Sequence, residues 1–283
     1  MKQPGSIEVV EKAIQVLEVL SRHSAPFTLP QLARETGQPK SSVYRVLLTW
    51  ENLGYVERVG PDVRFRLGMR ALQLSRNVAA RNRLNELTRS LLVRLHERFH
   101  ESVYLGLYRK QQVILVDAIE GTHPLRVVVD LGETCYLHAS AQGRSVAAYL
   151  APECLEGILR ETGFPRVTCK TDTDPARLPA ALQQIREQGY AINWEETVEG
   201  CVCVAVPYFA GSDGPVLGSL GISVPVSRVT EGLLSNVVEE MKIVGAELSS
   251  RLVGFAAEPG TLPRNAAPAF PAKSAKRISA RIS

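Results

Sequence analysis

The chain has 283 residues, of which 45% are hydrophobic and 22% charged, a composition typical of a globular protein long enough for two domains. No apolar run approaches the ~18 residues that a membrane span needs, and the first residues lack the apolar core of a signal peptide. The five cysteines have no regular spacing, which argues against a disulfide framework. We therefore expect a cytoplasmic protein with reduced thiols, no cofactor and no membrane partner.

The formal net charge of +4 is unevenly distributed along the chain. Residues 1–100 carry 16 Lys and Arg against 9 Asp and Glu, residues 101–255 carry 12 against 19, and residues 256–283 carry 5 against 1. A basic first part followed by an acidic middle is typical of a polyanion-binding domain joined to a separate sensor domain. This asymmetry favours DNA as a partner, although residues 1–68 alone carry a net charge of only +2.

The first third of the chain predicts three helices followed by a hairpin. Apolar residues recur at helical spacing from residue 9 to residue 20 and predict the first helix. Thr28 is the expected N-cap of a short second helix that Gly37 ends, and a third helix follows. Two β-prone runs then flank the turn at residues 60–62. This order is typical of a winged helix-turn-helix DNA-binding domain, which we place at residues 1–68.

The remaining sequence predicts a linker, a sensor domain and a tail. Residues 69–83 have a helical, arginine-rich pattern and form the predicted linker helix. In residues 84–255, strand-like and helical patterns are mixed, which predicts an α+β domain. The strand-like runs are 102–108, 112–119, 125–130, 190–196, 202–209 and 216–224, and the helices lie near 140–162, 176–188 and 230–253. Residues 256–283 have no apolar periodicity and are predicted to form a disordered basic tail.

Several segments resemble the IclR family of transcriptional regulators, from about Ser6 to Phe255. They include FTLPQLARETGQPKSSVYRVLLTWENLGYVER in the first domain, and YLHASAQGRSVAAYL, GYAINWEETVEGCVCVAVPYF and GSLGISVPVSR in the second. The resemblance implies an α+β protein with an N-terminal winged helix-turn-helix, a linker helix, a C-terminal GAF-like mixed α/β effector domain, and dimers able to pair into tetramers. Arg144 stands where the family usually has lysine, and Ala141-Gln142 replaces more common small residues.

The third helix and the wing carry the predicted DNA contacts. A helix in the major groove presents side chains near its N-terminus to base edges, while a hairpin reaches nearby phosphates. We expect Ser42 and Arg45 at base edges, Lys40 and Tyr44 at phosphates, and Arg64 and Arg66 at the DNA backbone. The full set is Lys40, Ser41, Ser42, Tyr44 and Arg45 on the helix and Arg58, Arg64 and Arg66 on the wing. Arg64 and Arg66 share a strand face, where one of them can instead pair with Asp62 or Glu57. In the alternative interpretation, these are solvated charges of a domain that contacts proteins.

The second domain carries the predicted effector site. Alternation along GCVCVAVPYF places Cys201, Cys203 and Ala205 on one strand face, where small side chains leave room for a packed helix or for a ligand. The segment LHASAQGRS predicts a helix start whose free N–H groups suit a carboxylate, although Ser140 is the expected N-cap. The family resemblance implies effector contacts at Leu125, Val127, Ala141, Gln142, Asn193, Cys201 and Cys203. The expected effector is a small organic acid.

Other chemistries are less favoured. The Cys-x-Cys pair and His138 lack the second ligand pair of a zinc site and an identified activating base, so neither a metal site nor a thiol nucleophile is expected. Glu195-Glu196 fits a solvated strand end better than an acid/base or metal site, and Gly218-x-x-Gly221 lies in a strand-like run rather than a phosphate-binding loop. We therefore predict no enzyme activity, and operator DNA, an effector and a second copy of the chain as partners. The alternatives are an enzyme domain tethered to nucleic acid and an architectural DNA binder without an effector.

Overall fold

The structure is a computed structural model and describes residues 7–21, 25–73, 83–128 and 130–264. The chain divides into two compact units, with the boundary between Arg83 and Leu84. The predicted linker helix lies largely outside the described residues, although residues 69–73 are helical. Residues 265–283 of the predicted tail also lie outside them. None of the helices in the described ranges is long and apolar enough to cross a membrane.

The first unit contains the three helices and the hairpin that the sequence predicts. Its elements are α1 (Glu8–Ser21), β1 (Phe27–Thr28), α2 (Leu29–Thr36), α3 (Lys40–Asn52), β2 (Val56–Val59) and β3 (Arg64–Leu67). The three strands are antiparallel in the order β1-β3-β2. Each helix buries one apolar stripe in a shared core, represented by Val16, Leu32, Val43 and Leu47, and Phe65 of the hairpin joins them. The predicted winged helix-turn-helix fold is confirmed.

Local caps fix the turn between α2 and α3. The backbone N–H of Thr28 donates to Oε1 of Gln31 at 2.8 Å, which is one half of a capping box. Gly37 ends α2 with a φ of 64°, a conformation in which a side chain would be strained. In the turn, the buried side chain of Gln38 donates from Nε2 to the carbonyl of Lys12 at 3.0 Å. The helix-turn-helix is thereby fixed against α1.

The second unit is built on one antiparallel sheet of six strands in the order β6-β5-β4-β9-β8-β7. In chain order its elements are α4 (Arg83–Phe99), β4 (Ser102–Arg109), β5 (Gln112–Ile119), β6 (Thr134–Cys135), α5 (Ala141–Ala147), α6 (Pro152–Thr162), α7 (Leu178–Gln188), β7 (Ala191–Trp194), β8 (Cys201–Phe209), β9 (Val216–Pro225) and α8 (Glu231–Arg251). Helices α4 and α8 cover one face of the sheet, and α5, α6 and α7 cover the other. Val204 belongs to the core under α4 and α8, whereas Cys203 and Ala205 belong to the core under α5, as strand alternation predicts.

Two predicted elements of this unit are wrong. Residues 124–128 have no regular structure, and Leu125 and Val128 are exposed. β propensity alone does not form a strand, and the outer edge of β5 pairs with β6 instead. The single helix predicted near 140–162 is two helices, because Pro152 favours an extended conformation in the residue before it, and Ala151 accordingly has a ψ of 137°.

Residues 256–264, which the sequence pattern places in the tail, make backbone contacts with the rest of the second unit. We call residues 256–264 the C-terminal segment. It belongs to the second unit and pairs with it through isolated antiparallel bridges. The N–H of Leu262 donates to the carbonyl of Tyr149 at 2.8 Å, and the N–H of Val216 donates to the carbonyl of Leu262 at 3.2 Å. Composition gives no sign of this contact, since the hydrogen bonds join backbone groups that are far apart in sequence.

Candidate functional site

The outer face of α3 carries exposed polar side chains beside an uncapped helix start. Lys40, Ser41, Tyr44 and Arg45 are exposed and Ser42 is half-buried. The N-cap residue is Pro39, and no side chain in the described residues caps this end of α3. The N–H groups of a helix start without a side-chain cap attract anions, and the helix dipole adds to that attraction. This end of α3 is therefore suited to contact a phosphate.

The wing arginines differ in what they already bind. Arg58 donates to Glu51 from Nε at 3.0 Å and from Nη2 at 2.9 Å, and its guanidinium lies 5.6 Å from the ring centroid of Phe65. Arg66 donates to Oε1 of Glu57, one of the two partners considered from the sequence. Arg64 is exposed and, like Arg45 and Lys40, forms no ion pair with any described residue. The free cations of the first unit's predicted DNA surface are thus Lys40, Arg45 and Arg64.

In the second unit, a buried group of polar side chains lies between α5 and the sheet. We call it the Gln142 cluster; it consists of Tyr104, Cys135, Gln142, Asn193, Cys201, Cys203 and Ser223. The Gln142 side chain lies over two strands, where a Cβ added to Gly106 would come 3.0 Å from its Oε1 and a Cβ added to Gly221 2.7 Å from its Nε2. Nε2 donates to the carbonyl of Tyr104 at 3.3 Å, and Oε1 accepts from Sγ of Cys135 at 3.3 Å. The two glycines make the room that Gln142 fills.

The polar groups of the cluster are hydrogen-bonded to one another and are neutral. The hydroxyl of Tyr104 is hydrogen-bonded to Oγ of Ser223 and, at 2.8 Å, to Sγ of Cys203. Burial raises the pKa of Tyr104 well above its usual value, and burial also raises the pKa of Cys203. Both groups are therefore protonated at neutral pH. Asn193 donates from Nδ2 to the carbonyl of Ala139 at 2.7 Å and holds the edge of the cluster.

One buried cation adjoins this cluster. The side chains of Arg144 and Glu196 are only 11% and 15% exposed, and Nη2 of Arg144 donates to Oε1 of Glu196 at 2.7 Å. Nε of Arg144 and Oε2 of Glu196 are buried without a hydrogen-bond partner among the described residues, so the ion pair is made through one contact instead of two. Burial lowers the pKa of His138, and the charge of Arg144 lowers it further. Burial raises the pKa of Cys203, and the charge of Arg144 offsets a small part of that rise.

Comparison with known proteins decides what these two units are. Residues 76–250 match the family model for the bacterial transcriptional regulator IclR C-terminal domain, and residues 9–60 match the model for the IclR helix-turn-helix domain. The chain belongs to the IclR family of transcriptional regulators. The transcriptional regulator BhcR of Paracoccus denitrificans is 31% identical over 245 residues, which cover 87% of each protein.

Solved structures of IclR proteins have the same fold. An IclR transcriptional regulator from Alicyclobacillus acidocaldarius is 26% identical with a TM-score of 0.75, and the match covers 87% of this chain and 99% of that one. An IclR homologue from Microbacterium hydrocarbonoxydans, solved with 4-hydroxybenzoate, is 24% identical with a TM-score of 0.70, and the match covers 87% of this chain and 99% of that one. The protein is accordingly a DNA-binding transcriptional regulator with a C-terminal effector domain. Its relatives carry the names of regulators and repressors, which is consistent with a protein that is not an enzyme.

The structure brings together most of the predicted effector residues. Ala141, Gln142, Asn193, Cys201 and Cys203 are all buried in or beside the Gln142 cluster. Leu125 and Val127 lie on the irregular segment between β5 and β6, where the carbonyl of Val127 accepts from Oγ of Ser102, and their part in the site stays a prediction. Ser140 accepts from the N–H of Gly143 at 2.9 Å, so it is the N-cap of α5, as expected.

Sequence reasoning missed three residues of this region. Tyr104 and Ser223 lie on strands β4 and β9, on the same face of the sheet as Cys203, and strand alternation offered the only signal for them. Arg144 differs from the lysine that the family usually has at this position, but the sequence gives no indication that its side chain is buried against Glu196. The pair Glu195-Glu196 is occupied by ion pairs with Lys170 and Arg144, and the described residues contain no group of three or more ligands arranged for a metal ion.

Proposed function

We propose that α3 and the wing bind operator DNA, that the Gln142 cluster and Arg144 bind a small organic acid, and that the protein acts as a homodimer able to form tetramers in the bacterial cytoplasm, where operators lie. The observation that supports the DNA surface best is the exposed Arg45, which has no ion-pair partner among the described residues and lies on the first turns of the uncapped α3. A ligand acts on such a regulator by favouring one arrangement of the two DNA-binding domains over another.

The proposed DNA contacts fall into two groups. Arg45 and Ser42 meet base edges, where an arginine can donate both of its terminal nitrogens to guanine. Lys40, Ser41 and Tyr44 meet phosphates near the start of α3, and Arg58, Arg64 and Arg66 meet phosphates along the wing. Arg58 and Arg66 must each release a glutamate before they bind, so we expect Arg64 to contribute more than either of them.

The test begins with genome-wide mapping of bound sites, which supplies an operator duplex for fluorescence anisotropy. Arg45→Ala should weaken operator binding by about 1–3 kcal/mol per contacted half-site and relax the sequence preference. Arg66→Ala is the comparison, because it removes a proposed phosphate contact that is already paired with Glu57; it should cost less and leave the sequence preference unchanged. Equal losses in the two variants would contradict the assignment of Arg45 to base recognition.

The proposed effector class rests on the half-made ion pair of Arg144. A carboxylate can accept from the unused Nε of Arg144 while the neutral donors of the cluster bind its remaining polar atoms. The ligand of the Microbacterium relative, 4-hydroxybenzoate, is also a carboxylate.

A thermal-shift screen tests whether the effector is a carboxylic acid. Each organic acid in the screen is compared with the corresponding amide. A binding acid should raise the melting temperature by ligand linkage, and its uncharged amide should not. Arg144→Gln should abolish the shift. Arg144→Lys should keep part of it, because lysine retains the positive charge but lacks the planar guanidinium that can donate two parallel hydrogen bonds. Equal shifts from acids and amides would overturn the proposal, and an operator affinity unaffected by any stabilising acid would favour an architectural DNA binder.

An exposed apolar stripe on α1 supports self-association. Ile7, Val10 and Ile14 are all exposed and recur at helical spacing, on a side of α1 that the core leaves uncovered. A symmetric pair of such stripes buries both at once. In sedimentation velocity, Ile14→Lys should shift the protein towards monomer, whereas Val9→Lys, at an exposed residue on another side of the same helix, should not. A dimer that withstands Ile14→Lys would place the interface elsewhere.

A further inference from the structure

The effector domain contains a cavity that shares no residue with the Gln142 cluster. It has a volume of about 40 Å³ and lies between the end of β8, the middle of α8 and the C-terminal segment. Its walls include Tyr149, Phe209, Lys242, Ser249 and Arg264. Gly245 forms part of the floor because α8 approaches β8 closely there: a Cβ added to Gly245 would lie 2.8 Å from Cγ2 of Val206.

Cations stacked on aromatic rings surround this cavity. The guanidinium of Arg264 lies 5.7 Å from the ring centroid of Phe209, and the ammonium of Lys242 lies 5.9 Å from that of Tyr190. Arg186, which adjoins the wall, has its guanidinium 5.4 Å from the ring centroid of Tyr149. The rings of Tyr149 and Phe209 in turn meet edge to face at 4.9 Å. Such contacts hold flexible cationic side chains in place without neutralising them.

The described residues of the cavity wall carry positive charge. None of the described residues that line it is acidic, and neither Lys242 nor Arg264 forms an ion pair with a described residue. Burial raises the pKa of Tyr149, and the charges of Arg264 and Arg186 oppose that rise, so both arginines act on the same wall. Residues 101–255 carry 12 Lys and Arg against 19 Asp and Glu, so this part of the chain is acidic as a whole. A cavity whose described walls carry cations and no acidic residue is unusual against that background.

We propose that this cavity binds a phosphate group. Its size suits one tetrahedral oxyanion, and two cations inside with a third beside them favour a doubly charged group over a single carboxylate, since the Coulomb attraction scales with the charge. Arg264 offers a planar fork to two phosphate oxygens, and Lys242 offers a point charge. The hydroxyl of Ser249 is already used, because it donates to the carbonyl of Gly245 and accepts from the N–H of Phe209.

A bound phosphate would also join two parts of the domain. Arg264 belongs to the C-terminal segment, whereas Lys242 belongs to α8. An anion held by both residues attaches that segment to the helix, so phosphate should protect the chain beyond residue 255 from proteolysis. This site therefore gives the regulator a second small-molecule input that does not depend on the organic-acid site.

The test is a titration of the full chain with inorganic phosphate at constant ionic strength, with chloride as the replaced anion, followed by calorimetry and by phosphorus NMR line width. Lys242→Gln and Arg264→Gln should each weaken phosphate binding about tenfold, as the loss of one charge-assisted contact predicts. Lys242→Arg should retain binding. Arg160→Gln, which removes an exposed arginine of α6 outside the cavity, should leave binding unchanged.

A parallel titration with methyl phosphate separates two sources of the group. Equal binding of both probes assigns the site to the phosphate group of a larger metabolite, and binding of inorganic phosphate alone assigns it to the free ion. The proposal is overturned if the unmodified protein binds neither probe, or if the Lys242→Gln, Arg264→Gln double variant binds them as well as Arg160→Gln does.

Discussion

The ion-pair network between α4 and α8 offers a direct test of how burial sets the strength of a charge contact. Glu240 on α8 is 3% exposed, and it accepts from Nη2 of Arg94 at 2.6 Å and from Nη1 of Arg98. Arg94 also donates to Glu247 at 3.1 Å. The perturbation is Glu240→Gln, which keeps the shape of the side chain and removes its charge.

The expected cost follows from the exposure of the three partners. Breaking a fully buried ion pair costs about 3–5 kcal/mol, because the remaining charge is left without solvent. Here the arginine side chains are 45% and 54% exposed, so water can solvate them again after the carboxylate is lost. Discounting for this screening, we expect Glu240→Gln to lower the free energy of unfolding by about 2 kcal/mol.

The assay is urea unfolding followed by Trp194 fluorescence, in a Trp50→Phe background that leaves only the second unit's tryptophan. The midpoint should fall while the denaturant slope stays constant. Glu247→Gln is the matched control on the same helix, since Glu247 also pairs with arginine but is 36% exposed; it should cost less than about 1 kcal/mol. Equal costs for the two substitutions would refute the role assigned to burial.

Three further predictions concern the second unit. Burial lowers the pKa of His138, so the neutral imidazole is favoured in the folded state, and the stability this contributes is present above the unfolded pKa of about 6.5 and lost as the pH falls. His138→Asn should therefore flatten the loss of melting temperature between pH 7 and pH 5, and an unchanged pH profile would contradict this. Burial raises the pKa of Cys201 to about 12, so mass spectrometry after native iodoacetamide treatment should find exposed Cys169 modified long before Cys201; comparable rates would count against the closed cluster. Ending the chain after residue 255 should lower stability by about 2 kcal/mol relative to ending it after residue 264, because the backbone bonds of Leu262 are lost, and equal melting temperatures would show that the C-terminal segment adds nothing.

What the sequence predicted correctly was local. Thr28 and Gly37 mark the ends of α2 because capping and positive φ depend on neighbouring residues alone. The face on which Cys203 lies follows from strand alternation, which needs no knowledge of the partner strands. Length, charge and the order of the elements predicted two domains, and the family resemblance then added the GAF-like effector domain.

What it could not predict depends on contacts between distant residues. Residues 125–130 have the composition of a strand, but the edge of β5 pairs with β6 (Thr134–Cys135). The sequence gives no sign that Arg58 pairs with Glu51, and it leaves open whether Arg64 or Arg66 pairs with Glu57 until the fold assigns Glu57 to Arg66. The half-made pair of Arg144 joins residues 52 positions apart, so no local pattern could reveal it.

The packing of Gln142 over Gly106 and Gly221 has a consequence for the kinetics of effector entry. A ligand that enters the space over these two glycines must first displace the Gln142 side chain, because that side chain fills it. The measured affinity is then the intrinsic affinity reduced by the fraction of molecules that are open. In a stopped-flow experiment the observed rate of binding should level off at high ligand concentration, at a plateau equal to the rate at which the cluster opens.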